Sequence, residues 1–156
     1  MDLRRIFRHL VTTRWSAKRL LPRSSFDAIQ RAIRDAEARY EGQVRFVVEP
    51  ALDLPLLLAG QSPRARALHV FSQLRVWDTA HSNGVLIYLL LADRDLEIVA
   101  DRGVHAQAPE AWEPICRAME DRFRQREYET GVVEAVRAVG KQLERHFPTQ
   151  ARSQQR

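Results

Sequence analysis

Six polar side chains stand on either side of one long apolar run, and their types are those that bind metals or transfer protons. The run covers residues 85–92, and a second β-like run, 96–100, follows it after a short acidic turn. If the two runs pair as an antiparallel hairpin, the residues before the first and after the second lie at the same end of the sheet. This first cluster consists of Asp78, His81, Asn83, Asp101, Arg102 and His105.

Carboxylate and amide oxygens in the first cluster are the ligands that Ca²⁺ and Mg²⁺ prefer. The candidate metal ligands are Asp78, Asp101 and Asn83. Two aspartates with two histidines would instead suit a transition metal. The structural alternative is that Asp101 and Arg102 form an ion pair and that Asn83 and Gly84 simply supply a turn.

The same cluster offers contacts for a substrate or partner. His81 and His105 are the candidate general acids or bases. Trp77, His81, Arg102 and His105 are the candidate ligand or partner contacts. No nucleotide-binding glycine motif or nucleophile signature accompanies them.

A second cluster is expected at the opposite end of the hairpin, beyond the carboxyl ends of the parallel strands, where open α/β sheets often bind ligands. It consists of Glu49, Asp53, Asp93, Arg94 and Asp95. The alternative interpretation is that residues 93–95 are simply a solvated hairpin turn.

The elements that position both clusters are visible in the hydrophobic pattern. Strands are predicted at 44–48, 85–92 and 96–101, and amphipathic helices at about 26–40, 63–74, 110–123 and 130–147. A strand, helix, strand order gives a parallel pair with a right-handed crossover, and the hairpin adds an antiparallel strand. The predicted fold is a three-layer α/β/α sandwich with a small mixed sheet.

The N-terminal segment, residues 1–23, is a basic amphipathic arm, followed by the domain at 24–148 and a disordered tail at 149–156. Apolar residues at helical spacing face one side of the arm, and cations the other. The arm residues expected to contact a membrane or partner are Arg4, Arg5, Phe7, Arg8, Arg14 and Trp15. The chain's own domain, a second copy of the chain or an anionic membrane surface would cover the apolar side.

Composition separates this arm from the rest of the chain. The 156 residues carry a net charge of +5, but the excess lies in the first 23 residues, and the remainder is close to neutral. Nucleic-acid binding is therefore not expected. The lone Cys116 excludes an intrachain disulfide, which suits a cytoplasmic protein, and no signal peptide or membrane helix is predicted.

Three segments resemble the TPM-domain family, known from thylakoid proteins of photosystem repair and from bacterial membrane-associated proteins. They are NGVLIYLLLADRD at 83–95, LEIVADRGV at 96–104 and REYETGVVEAV at 126–136. The resemblance covers about residues 25–147 and implies the same α/β/α sandwich. It also implies calcium binding or acid-phosphatase activity, which are assigned to some members.

Two departures limit what the resemblance implies for the sites. LPRSS replaces an Asp-containing segment before the first domain helix, and residues 101–105 replace a glycine-rich segment that ends in glutamate. The expected function is therefore a non-enzymatic binding or accessory module that acts with a membrane-associated protein partner. The alternative is a weak divalent-metal-dependent, acid-phosphatase-like hydrolase that uses the first cluster. No cofactor is required for the first function, and Ca²⁺ or Mg²⁺ would serve the second.

Overall fold

A three-stranded mixed sheet forms the centre of the computed structural model, which describes residues 2–107 and 110–149. The strands are β1 (Gln43–Glu49), β2 (Gly84–Leu90) and β3 (Asp95–Ala100), in the spatial order β1-β2-β3. β1 and β2 are parallel, with Val44 opposite Val85, and β2 and β3 are antiparallel, with Val85 opposite Ala100. The predicted parallel pair and hairpin are confirmed.

The helices lie before, between and after the strands. They are α1 (Leu3–Val11), α2 (Arg14–Leu20), α3 (Arg23–Glu37), α4 (Leu54–Leu58), α5 (Pro63–Gln73), α6 (Arg102–Gln107), α7 (Trp112–Arg124) and α8 (Tyr128–His146). The predicted start of a helix at 108–109 and most of the predicted tail, 150–156, fall outside the described residues. None of the described helices is long and apolar enough to cross a membrane.

Both faces of the sheet are buried, because successive side chains of a strand point to opposite faces. Val85, Ile87 and Leu89 pack with the buried sides of α3, α7 and α8. Leu86, Tyr88 and Leu90 pack with α5 and with the connection that contains α4. All seven β2 residues are buried, which is why β2 reads as one continuous apolar run. The predicted α/β/α sandwich is therefore confirmed.

The N-terminal arm differs from the expected continuous amphipathic segment. It forms two helices, because Thr12 and Thr13 adopt extended backbone and Thr13 caps α2. The Thr13 hydroxyl accepts a hydrogen bond from the Ser16 amide, and the Ser16 hydroxyl accepts one from the Thr13 amide.

Candidate functional site

Asn83 of the first cluster has a structural position. Its side chain is buried, its amide nitrogen donates to the carbonyl oxygen of Glu41, and its backbone N–H donates to the Thr79 hydroxyl at 2.9 Å. The bond to Glu41 ties the segment before β2 to the segment before β1. The side chain thus anchors the amino ends of the two parallel strands.

Asp78 and His81 lie on the exposed segment between α5 and β2. Each has a local partner: Asp78 is 3.5 Å from Arg75, and His81 is 3.6 Å from Glu41. Trp77 is half-exposed, and the Arg75 guanidinium lies 5.6 Å from the centroid of its ring. These residues form a mixed polar surface close to Asn83.

Asp101 begins α6, a helix that the hydrophobic pattern did not predict. Its carboxylate accepts a hydrogen bond from the Arg102 amide at 2.7 Å, and its carbonyl oxygen accepts from the amides of Val104 and His105. This bond involves the backbone of Arg102, and among the described residues no ion pair joins the Asp101 carboxylate to the Arg102 guanidinium. The second carboxylate oxygen of Asp101 is buried, with no hydrogen-bond partner in the part of the chain that the structure describes.

His105 lies two residues after Gly103, whose amide donates to the Ser82 carbonyl at 2.9 Å. His105 lines an open groove of about 450 Å³ between the free edge of β3 and α7. Across residues 2–107 and 110–149, no three His, Cys, Asp or Glu side chains form a group that could hold a metal ion. Metal binding by Asp78, Asp101 and Asn83 stays a prediction.

The groove at the β3 edge, here called the acidic groove, was not predicted. Its acidic side chains are Asp95, Glu97, Glu113 and Glu120. Burial, reinforced by the neighbouring carboxylates of Glu97 and Glu120, raises the pKa of Asp95 to about 7. Burial and the Glu97 carboxylate also raise the pKa of the Cys116 thiol to about 12, so this cysteine is a poor nucleophile.

Glu49, from the predicted second cluster, is held in a local network. Arg66 donates to its two carboxylate oxygens at 2.8 and 3.0 Å, and the Tyr88 hydroxyl donates to it at 2.8 Å. Burial and the Glu49 charge raise the pKa of Tyr88. Asp53 is exposed just before α4, with no side-chain cap bond. The second cluster is therefore divided among separate contacts.

Asp93 binds the N-terminal arm. Arg5 donates to its carboxylate from Nε at 3.1 Å and from Nη2 at 2.9 Å, and Arg8 lies 3.5 Å away. His9 Nε2 lies 2.9 Å from the other carboxylate oxygen. Burial raises the pKa of Asp93, but the hydrogen bonds from Arg5 and His9, together with the charge of Arg5, outweigh burial and hold it below its usual range. These four residues are the Asp93 cluster.

The imidazole of His9 is fully buried, and its two hydrogen bonds indicate its tautomer. Nδ1 lies 2.9 Å from the backbone nitrogen of Leu52, whose N–H it must accept. The proton of the neutral ring therefore sits on Nε2 and is donated to Asp93. The sequence holds a signal for this contact, because Arg5, Arg8 and His9 follow one another at helical spacing.

The same contacts turn the apolar side of α1 outward. Leu3, Phe7, Leu10 and Val11 form the apolar stripe, and they are 69%, 66%, 62% and 55% exposed. Ile6 alone among the apolar residues of α1 packs against the core. On α2, Trp15 is also exposed, with the Arg19 guanidinium 4.7 Å from its ring centroid. α1 therefore docks on the domain mainly through polar contacts, whereas the end of the arm is held by the core residue Leu21.

These features define a small α/β/α domain whose N-terminal helix, α1, docks through polar side chains. A family model described as the TPM domain matches residues 16–142. The chain belongs to the TPM-domain family, as the sequence resemblance predicted. α1 lies before the matched residues.

One solved structure shows the same fold. It is the NMR structure of the BA42 protein from the psychrophilic bacterium Bizionia argentinensis, which is 29% identical to this chain with a TM-score of 0.71. The similarity covers 82% of this chain and 84% of that protein. No curated protein matches this chain.

Proposed function

We propose that this protein is a non-enzymatic binding module that attaches to an anionic membrane surface through the apolar stripe of α1. At that surface it would meet the membrane-associated protein partner that the family resemblance implies. The observation that carries the proposal is the orientation of α1. Its polar side is used for docking by Arg5 and His9, and its apolar side is left exposed.

The apolar stripe is large for a surface that has no structural task. Leu3, Phe7, Leu10 and Val11 are spaced at four, three and one residues, so they share one side of the helix. Burying a side chain of this size stabilises a bound state by about 1.5–3 kcal/mol. Exposed patches of this kind mark interaction surfaces in folded proteins.

Positive charge next to the stripe favours a lipid surface over a neutral apolar partner. Arg4 and Arg14 are exposed, as are Lys18 and Arg19 on α2. Each cation adds about 1 kcal/mol of attraction near an anionic membrane. A basic helix that lies in the interface with its apolar side down requires this combination.

Vesicle co-sedimentation tests the proposal. Full-length protein should bind vesicles that contain phosphatidylserine, and binding should weaken as salt is raised because exposed charges are screened. The double variant Phe7→Ser/Leu10→Ser should bind about 100-fold more weakly, since it loses two anchoring side chains. The matched control is Leu68→Ser/Leu74→Ser on the α5 side, where the residues are 46% and 48% exposed.

Equal binding by the two double variants would overturn the proposal. Binding to neutral phosphatidylcholine vesicles that does not change with salt would also contradict it. If the full-length protein binds no vesicle but forms dimers that the Phe7→Ser/Leu10→Ser change abolishes, the stripe is a protein interface instead.

One observation favours the alternative, a phosphatase-like hydrolase. His105, a predicted general acid or base, shares the acidic groove with Asp95, whose pKa of about 7 suits proton transfer near neutral pH. Hydrolysis of a generic phosphate ester with Ca²⁺, Mg²⁺ or Mn²⁺ tests this function. Activity that His105→Ala removes and His81→Ala leaves intact would support the acidic groove as its site. The same loss in both variants would count against that groove.

A further inference from the structure

A second groove lies where the arm meets the domain. It is an open cleft of about 580 Å³ between the arm, the turn after β2 and the turn between α7 and α8. This basic groove is defined by Arg8, Arg94, Arg126, Thr12, Ser16 and Tyr128. None of the motifs considered in the sequence accounts for the meeting of these three arginines.

The charge of the basic groove is not balanced by its own lining. Asp93 is its one acidic lining residue, and Arg5 and His9 already bind that carboxylate at 2.9 Å each. Within residues 2–107 and 110–149, the guanidinium groups of Arg94 and Arg126 have no ion-pair or side-chain hydrogen-bond partner. Two cationic forks therefore remain available for an anion in one cleft.

The backbone makes these two arginines unusual. Arg94 has φ of 50° and Arg126 has φ of 61°, in the left-handed region that favours glycine. Arg126 follows the end of α7, where the Arg126 amide donates to Phe123 and the Glu127 amide donates to Arg122. This is the helix-ending pattern in which glycine is the preferred residue. Charged side chains thus occupy two positions that fit glycine better.

We propose that the basic groove binds the phosphate group of a phosphomonoester lipid headgroup. Guanidinium forks match the oxygens of a phosphate, and the hydroxyl of Ser16 can donate to it, whereas that of Thr12 already donates to the Arg8 carbonyl. The lining also includes Val11 and Leu20, which are 55% and 39% exposed and lie next to the cations. A cleft with apolar side chains beside its arginines suits a headgroup attached to acyl chains.

This inference rests on the proposed membrane attachment and adds headgroup selectivity to it. The test therefore compares two vesicles of equal surface charge in phosphatidylcholine, one containing phosphatidic acid and the other phosphatidylserine. The measured quantity is the ratio of the two affinities. Wild-type protein should prefer phosphatidic acid by about tenfold, because its phosphate would accept an additional set of charge-assisted hydrogen bonds from the arginines of the basic groove.

The informative variant is Arg94→Gly/Arg126→Gly, because glycine suits both backbone conformations. Its melting temperature should equal or exceed that of the wild type, while the affinity ratio should fall to about one. The matched control is Arg31→Gln/Arg145→Gln, which removes two exposed arginines from α3 and α8 and should keep the wild-type ratio.

The outcomes separate the two proposals. Binding of wild-type protein to both vesicles with a ratio of one overturns the phosphate site and leaves membrane attachment intact. No binding to either vesicle overturns the membrane attachment and, with it, the lipid site. If NMR titration with glycerol 3-phosphate shifts Arg94 and Arg126 as strongly as phosphatidic acid does, the ligand is a soluble phosphate and the lipid assignment is wrong.

Discussion

Replacing Asp93 with alanine should free α1 and destabilise the protein. The carboxylate is the shared acceptor for Arg5 and His9, and the side chain is 9% exposed. Its loss leaves a fully buried imidazole N–H without an acceptor and a mostly buried guanidinium that keeps only its bond to the Gln61 carbonyl. Removing one partner of a buried charge pair costs about 3–5 kcal/mol, and the partial exposure of Arg5 places the expected loss near the lower limit, about 3 kcal/mol.

Urea unfolding and amide hydrogen exchange measure the two consequences separately. A loss of about 3 kcal/mol corresponds to a fall of about 6–12 °C in melting temperature for a domain of this size. The amides of α1 should exchange faster than those of β2. The control is Asp53→Ala, which removes a neighbouring exposed carboxylate and should change stability by less than about 0.5 kcal/mol.

The low pKa of Asp93 predicts a matching pH effect. A carboxylate whose pKa is depressed by folding contributes stability above its unfolded value of about 3.9, and that contribution is lost as pH falls through the folded pKa. Wild-type protein should therefore lose more stability than Asp93→Ala below about pH 4. Equal stability of the two proteins at pH 7, together with unchanged exchange in α1, would refute this account of the arm.

Three further predictions concern the domain. The pKa of Asp95 is raised from 3.8 to about 7, so the folded state keeps a proton that the unfolded chain releases, and stability should fall as pH rises between these values. The shift is worth at most about 4 kcal/mol of stability, and solvent screening reduces it to about 1–2 kcal/mol. In urea unfolding, the Asp95→Asn variant should lose this fall of stability with pH. If the variant keeps the same pH dependence, Asp95 is not its source. Gly84→Ala should prevent folding or lower the free energy of unfolding by more than about 4 kcal/mol, because the added Cβ would lie 1.9 Å from the Val76 carbonyl oxygen. Thermal melting followed by circular dichroism measures this, and a melting curve like that of the wild type would disprove it. Cys116, with a pKa of about 12, should react with a thiol reagent at pH 8 at least about 100-fold more slowly folded than in urea, and equal rates would show an accessible thiolate.

The sheet could be predicted from the sequence because its signals are local. A fully buried strand reads as a continuous apolar run, and the acidic turn after it marks a hairpin. The observed β2 ends at Leu90, before the predicted limit of 92, because residues 91–94 form the hairpin turn, in which the Arg94 amide donates to the Leu91 carbonyl. α6 was missed because six residues are too few to show a helical period.

The sites were harder to predict because they depend on side-chain direction and on distant segments. Topology placed His81 and His105 at the same end of the hairpin, but α6 carries His105 to the β3 edge. Asp93 could be chosen as a candidate from its position in the hairpin turn. Its partner His9 could not be chosen in this way, because it lies 84 residues away in the sequence. The arm was correctly described as amphipathic, but nothing in the periodicity shows that its polar side faces the domain.

The polar docking of α1 determines how its detachment would respond to the surroundings. Among its apolar residues Ile6 alone packs against the core, so releasing the helix would expose little apolar surface. Heat-capacity changes and denaturant slopes scale with the surface that opening exposes. The release of α1 should therefore change the heat capacity very little and depend only weakly on the urea concentration. Ionic strength and the charge of a nearby surface would govern it instead.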